Sequence, residues 1–317
     1  GGCVPIRMPR RWSVSPKRMD TTVDGRTLSV SNLDKVMYPK SGFTKGQVLD
    51  YYARIAEVMV PHLRHRPATF KRFPNGVDGM SFYEKHSPAG APAWVYTISV
   101  PSKDGSHEPI EYSEVRDRPT LLWAANLAAL EFHVPLWRVV KGKDIPAPPD
   151  QMVFDLDPGP GTSIVECCQV AQWLATRLKH EVFAKTSGSK GLQLYTRLSR
   201  RSWDQASAEA HEFARAVEND HPDAVVSVMR KTLRENKVLI DWSQNSASKT
   251  TVGVYSLRAR EDPTVSTPVT WAEVTKCAKR SDPSVLRFEA GDVLRRVEKL
   301  GDLMAPLLGP SKKSGAR

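Results

Sequence analysis

No stretch of this chain approaches the ~20 consecutive apolar residues that cross a bilayer, which argues against a membrane-spanning helix. Residues 1–20 hold Arg7, Arg10, Arg11, Lys17 and Arg18 but no apolar segment, which argues against a secretory leader. Cysteine is scarce. Cys3, Cys167, Cys168 and Cys277 are the four, and none stands in CxxC or CxH spacing, so a zinc site is not expected. Cys167 and Cys168 fall in a helical pattern and read as reduced packing residues, in keeping with a cytoplasmic protein. Acid is also short: 35 Asp and Glu face 46 Lys and Arg, a formal charge of +11. That imbalance favours polyanion partners, nucleic acid before an anionic membrane.

What is present reads as a globular α/β protein. A chain of 317 residues can bury a large core, in two domains or one domain of two lobes. The expected division is a flexible basic extension over 1–20, one domain over 21–303 with lobes of roughly 21–145 and 146–303, and a basic tail over 304–317. No internal repeat is evident. Residues 27–30 read as a strand, Thr44 as an N-cap, and residues 47–60 as an amphipathic helix carrying Val48, Tyr51, Tyr52, Ile55 and Val58. Pro119 and Thr120 open a second helix expected over 121–133, stopped before Pro135. Prolines 146, 148 and 149 mark residues 141–150 as a linker or surface loop. Further on, 152–157, 181–185, 192–198 and 238–242 read as strands, and 164–178 and 206–217 as helices, the first capped by Thr162 or Ser163. Interspersed strands and helices give a mixed α/β class.

Two of those strands end in acid. In Met152-Val153-Phe154-Asp155-Leu156-Asp157 the two aspartates point to one face, roughly 7 Å apart at Cα, with Leu156 turned to the core. Asp241 ends the apolar strand of residues 238–242 in the same way. Like charges on an apolar strand repel, and divalent cations remove that cost. Three aspartates suit a pair of hard cations. A DxD alone is weak, since acids often end strands as turn formers.

Thr186-Ser187-Gly188-Ser189-Lys190-Gly191 lies between two strands. Gly188 and Gly191 permit backbone conformations that aim N–H groups at an anion, and Ser187, Ser189 and Lys190 add donors and charge. It is not a Walker A loop, and in isolation such a stretch is most often a solvated hairpin turn. Lys71 with Phe73, and Phe82 and Tyr83 with Lys85, are candidate phosphate and base contacts.

Taken in order, the motifs resemble the polymerase domain of bacterial ligase D, in the archaeo-eukaryotic primase superfamily. The matching stretches are Asn32 to Pro39, Arg66 to Thr69, Phe73 to Asp78, His133-Val134-Pro135, Phe154 to Gly159, Thr186 to Gly191, Asp241 to Asn245 and Tyr255 to Arg258. The resemblance implies a mixed β-sheet catalytic core in two packed lobes and a nucleotidyltransferase that extends nucleic-acid 3′-OH ends. It implies that Asp155, Asp157 and Asp241 bind the metal, Mn²⁺ before Mg²⁺. Ser187 and Lys190 would hold the triphosphate, with His133, Lys71 and Arg258 lining the pocket. Tyr83 would stack on the incoming base, Gln244 would help orient the site, and Lys35 and Lys45 would grip a 5′-phosphate across a DNA gap. Implied substrates are gapped or broken DNA and nucleoside triphosphates, ribonucleotides preferred. Implied partners are Ku and a DNA ligase, with no membrane. The sequence has no room for ligase and nuclease modules, so an excised domain or a stand-alone primase-polymerase is expected.

One departure stands out. The family reads Lys-Gly-x-His where this chain has Gln193, which hydrogen-bonds but carries no positive charge. That motivates one alternative, a catalytically weakened DNA-binding relative. The other is a haloacid-dehalogenase-type phosphatase, whose strand also ends in DxD. A DxD glycosyltransferase would leave the basic surface unexplained.

Overall fold

The computed structural model describes residues 18–102, 108–140 and 145–309. Most of the expected extension thus lies outside the described residues, as do 141–144 of the expected linker. Residues 18–20 open the first strand, and of the expected tail Met304 and Leu307 are buried while 310–317 lie outside the described residues.

The chain begins with hairpins β1 (Arg18–Val23) with β2 (Arg26–Ser31) and β3 (Val36–Tyr38) with β4 (Phe43–Thr44), then α1 (Lys45–Leu63). Strands β5 (Thr69–Arg72), β6 (Phe82–Glu84), β7 (Thr97–Val100) and β8 (Ile110–Ser113) precede α2 (Arg118–Asn126) and β9 (Ala129–Val134). The second half runs β10 (Gln151–Pro158), α3 (Ile164–Arg177), β11 (Val182–Thr186), β12 (Leu192–Arg197), α4 (Trp203–Asp220), β13 (Val225–Val226) and β14 (Val238–Asp241). It closes with β15 (Thr251–Val252), β16 (Pro268–Val269), α5 (Trp271–Arg280) and α6 (Ala290–Leu300).

Two sheets organise the molecule. One has the order β13-β14-β10-β12-β11-β16 and is antiparallel except at β13/β14. The other has the order β15-β9-β5-β6. Phe154, Leu156, Leu192, Leu194 and Ile240 pack on one side of the first sheet against Cys168, Ala171, Leu174 and Ala214 of α3 and α4. Burying side chains of this size stabilises by ~1.5–3 kcal/mol each before entropy is counted. The second sheet rests on α1 and α2. Tyr52 of α1 meets Phe132 edge-on at 5.1 Å and donates its hydroxyl to the Leu130 carbonyl at 2.6 Å, so the buried phenol is satisfied.

Local signals explain most ends. Thr44 caps α1 in a reciprocal box with Gln47, and Ser163, rather than Thr162, caps α3 with Glu166. The helix expected over 121–133 is a correction: α2 stops at Asn126, Ala128 turns the chain at φ +62°, and residues 129–134 form β9. Every residue of β9 is buried, so both strand faces are covered and no alternation is left to distinguish it from a buried helix. His133 therefore sits on a strand. Arg66, 1% exposed, grips Asp150 with two bonds of 2.7 and 2.8 Å and so anchors the lead-in to β10.

Candidate active site

Strand β10 lies between β14 and β12. Asp155 is paired with Asp241 on one side and Gln193 on the other, and Gln193 is paired with Lys185 of β11. Paired residues share a face, so Asp241, Asp155, Gln193 and Lys185 form one row across four strands. Asp157, two residues along, takes the same face. Asp241 is buried. Its Oδ1 accepts from the Ser243 amide at 2.9 Å and hydroxyl at 2.6 Å, and its Oδ2 accepts from Gln244 Nε2 at 2.9 Å. Asn245 continues the motif by bonding both the N–H and the carbonyl of Val153, which locks the turn after β14 onto β10.

The Asp155 Oδ1 atom is buried with no hydrogen-bond partner. Burial, then the charge of Asp157, pushes Asp155 up to about 7, against the pull of Gln193 and Lys185. Burial and then Asp241 raise Asp157 as well, opposed by Arg234 and Arg258. Mutually repelling acids with one orphaned oxygen are a fitting donor set for a hard divalent cation. Among the described residues no three acidic, imidazole or thiol groups are already closed around one point. With Asp241 turned to Ser243 and Gln244, the acids are gathered on a face rather than assembled into a shell.

The hairpin between β11 and β12 runs beside Asp157. Gly188 has φ +67°, and a Cβ there would meet Arg258 Cγ at 2.6 Å. Gly191 is required for closeness instead: its Cβ would lie 2.3 Å from the Leu156 carbonyl oxygen. The loop amides differ from the expectation. Ser189 and Gly191 donate their N–H groups to Ser187 Oγ, at 3.2 and 3.1 Å, and not outward. The Ser187 oxygen is thereby spent as an acceptor, and its own proton stays free to donate. Lys190 and Ser189 are exposed at the tip.

A second set of residues comes from the other sheet. Tyr83, Lys71 and Glu131 are paired in sequence across β6, β5 and β9, and His133 lies two residues beyond Glu131 on the same face. Lys71 Nζ sits 5.3 Å from the Tyr83 ring centre, and Tyr83 meets His133 edge-on at 5.6 Å. Tyr83 is 57% exposed, so one ring face is open. Arg258 joins this wall to the hairpin: its Nε lies 3.3 Å from Glu131, and it donates to the Ser187 carbonyl at 2.6 Å. Burial opposes the charge on Glu131, but His133 and Arg258 outweigh it and hold the carboxyl at about 2. Burial lowers His133; Glu131 works against this, while Arg258 and Lys71 add to it.

Lys35 and Lys45 sit apart from this cleft. Lys35 is exposed and bonds the Pro74 carbonyl at 2.6 Å, whereas Lys45 is buried against Ser31. Burial, then repulsion from Lys35, lowers Lys45 to about 8, the signature of two cations sharing one place. Two residues of the site were invisible in the sequence reading. Glu131 and Lys185 each lie in a run of buried strand, and their partners come from distant parts of the chain. Gln193 is 3% exposed, with its amide between Lys185 and Asp155.

Residues 44–304 match the family described as LigD, primase-polymerase domain. The chain is 44% identical over 282 residues to the multifunctional non-homologous end joining protein LigD of Mycolicibacterium smegmatis, covering 88% of this chain and 36% of that one. The Mycobacterium tuberculosis H37Rv protein is 43% identical over 288 residues, covering 88% and 37%. The bifunctional Bacillus subtilis LigD is 31% identical over 281 residues, covering 86% and 43%. This chain thus spans a little over a third of the length of the first relatives it matches. The solved polymerase domain from Mycobacterium tuberculosis ligase D, in complex with DNA, superposes with a TM-score of 0.82 at 42% identity, covering 89% of this chain and 98% of that one. The phosphatase and glycosyltransferase alternatives give way to this match. The chain belongs to the LigD primase-polymerase domain family and is a nucleotidyltransferase of that class.

Proposed function

We propose that this chain adds nucleotides, ribonucleotides before deoxyribonucleotides, to 3′-OH ends during short-gap filling in the end joining of broken DNA. The observation that carries the reading is the placement of Asp155, Asp157 and Asp241 on one sheet face, beside the Ser187–Lys190 hairpin and tied through Arg258 to the Lys71 wall. Asp155, Asp157 and Asp241 would hold the divalent cations, Mn²⁺ preferred over Mg²⁺. When bound, such cations lower the pKa of an attacking hydroxyl and neutralise charge on the leaving phosphate oxygens.

The chain's own groups do the rest. Lys190 and the free Ser187 hydroxyl bind the triphosphate, and Lys71 and Arg258 add positive charge along it. His133, its pKa lowered by burial, gives its Nε2–H to the Glu131 carboxylate at 2.9 Å and lines the pocket beside Tyr83. The open face of Tyr83 stacks on the incoming base. Gln244 holds Asp241 in one rotamer. Lys35 and Lys45 receive a 5′-phosphate, which relieves their mutual repulsion. The relatives' names speak of end joining, and Ku, a ligase and the bacterial cytoplasm follow as proposed partners and setting. Among the described residues no helix is long and apolar enough to cross a membrane.

The test is extension of a gapped, 5′-phosphorylated DNA with each nucleotide class, comparing Mn²⁺ and Mg²⁺. Product is expected with Mn²⁺ and ribonucleotides. Wild-type product from Asp157→Ala overturns the assignment of the acids.

A further inference from the structure

Lys185 is a lysine with no exposed surface, and among the described residues no carboxylate contacts it directly. Its Nζ has three hydrogen-bond partners: Gln193 Oε1 at 2.5 Å, Ser266 Oγ at 2.6 Å and the Val252 carbonyl at 3.1 Å. The serine spends its own proton on the Thr186 carbonyl at 2.9 Å, so it accepts from the lysine. Amide and peptide oxygens only accept. Burial pulls Lys185 down to about 7, against Asp155, while three acceptors around Nζ favour the ammonium form, whose three hydrogens they use.

Burying an ammonium is costly, and an apolar side chain of equal length would fill the space at lower cost. The charge has a consequence one strand away. Gln193 has one acceptor end and one donor end. Lys185 donates to its oxygen, and the Tyr195 hydroxyl stands 3.4 Å from it with its single proton nearer Thr251 Oγ1, at 3.1 Å. Turning the amide over would set its NH₂ against an ammonium. The NH₂ end is therefore left to the side of Asp155, which the register sets opposite Gln193 on the neighbouring strand.

We propose that Lys185 is a positioning residue: acting through the Gln193 amide, it fixes the orientation of the Asp155 carboxylate and so sets how tightly this face holds a divalent cation. The inference rests on the reading of Asp155 as a cation ligand given above. It also gives the glutamine at position 193 a physical role. The neutral amide relays a charge that it does not carry, with the ammonium standing behind it.

The experiment measures Mn²⁺ binding to the protein by calorimetry, without nucleotide or DNA, alongside primer extension and thermal melting. Lys185→Met is expected to weaken Mn²⁺ binding and to raise the Mn²⁺ concentration for half-maximal extension by about 10–100-fold, with DNA affinity unchanged. Lys185→Met/Gln193→His is expected to recover much of that loss, because an imidazolium donates to Asp155 and carries the charge itself. A purely structural lysine would instead lower the melting temperature, leave Mn²⁺ affinity alone and gain nothing from the histidine. That outcome overturns the proposal. Gln193→Met keeps Lys185 and two of its acceptors while cutting the link, so it reads the same relay should Lys185→Met fail to fold. Wild-type Mn²⁺ binding in Gln193→Met overturns the proposal too. Asp155→Asn separates the two ideas: undiminished metal binding there defeats the cation-ligand reading itself, whatever Lys185 does.

Discussion

The six-stranded sheet carries opposite chemistry on its two faces. On one, Phe154, Leu156, Leu192 and Leu194 press into α3 and α4. On the other, residues one step along the same strands, Asp155, Asp157 and Gln193, form a row with Lys185 and Asp241. The first face lowers the free energy of the fold by removing apolar surface from water. The second raises it, since like charges are held together and an ammonium is buried. A period of two therefore places cost and gain on alternate residues of a single strand. The apolar face makes the fold able to bear the charged one.

Substitutions on the two faces sharpen that contrast. The largest effect is expected at Asp157→Ala, where extension should fall by roughly a thousandfold, ~4 kcal/mol of transition-state stabilisation. Its melting temperature should hold or rise, because a repelling charge is gone; a parallel fall in melting temperature would erase the distinction between faces. Leu156→Ala, one residue away, should cost ~2–5 kcal/mol of stability in urea unfolding while the folded fraction keeps its turnover. A drop below ~1 kcal/mol would show that the apolar face is not what holds the sheet.

Away from the sheet, Lys45→Ala should weaken preference for a 5′-phosphorylated gap by about tenfold, ~1.4 kcal/mol, in binding assays at fixed salt. Equal losses on phosphorylated and unphosphorylated DNA would remove the assigned role. The mildest effect is on pH. Asp155 is raised from 3.8 to about 7, so between those values the folded chain keeps a proton that the unfolded chain has released. The Asp155 contribution to the stability of the metal-free protein should thus decline as pH rises from about 4 to about 7, and level off above. Asp155→Asn should flatten the decline in a melting series. An unchanged slope in that variant would assign the effect elsewhere.

The sequence exposed the charged face only in part. Asp155, Asp157 and Asp241 were legible because acid at the end of an apolar strand breaks the hydrophobic pattern, and the Gly-Ser-Lys hairpin because strands flank it. Glu131 and Lys185 were not. Their meaning depends on Arg258, Val252 and Ser266, brought close by folding rather than by spacing. The misread end of α2 has a related cause: β9 is buried on both sides, and no alternation survives to mark it. Gly191 was read as conformational, whereas contact with the Leu156 carbonyl is what demands it.

The short strand β15 and the turns after it have one more consequence. Val252 pairs with His133 on one sheet and accepts from Lys185 on the other, while Arg258 reaches both Glu131 and the Ser187 carbonyl. Both walls of the cleft are riveted to the same short stretch, Val252 to Arg258. A hinge motion of one sheet against the other would have to break those bonds, so the linkage favours a cleft of fixed width.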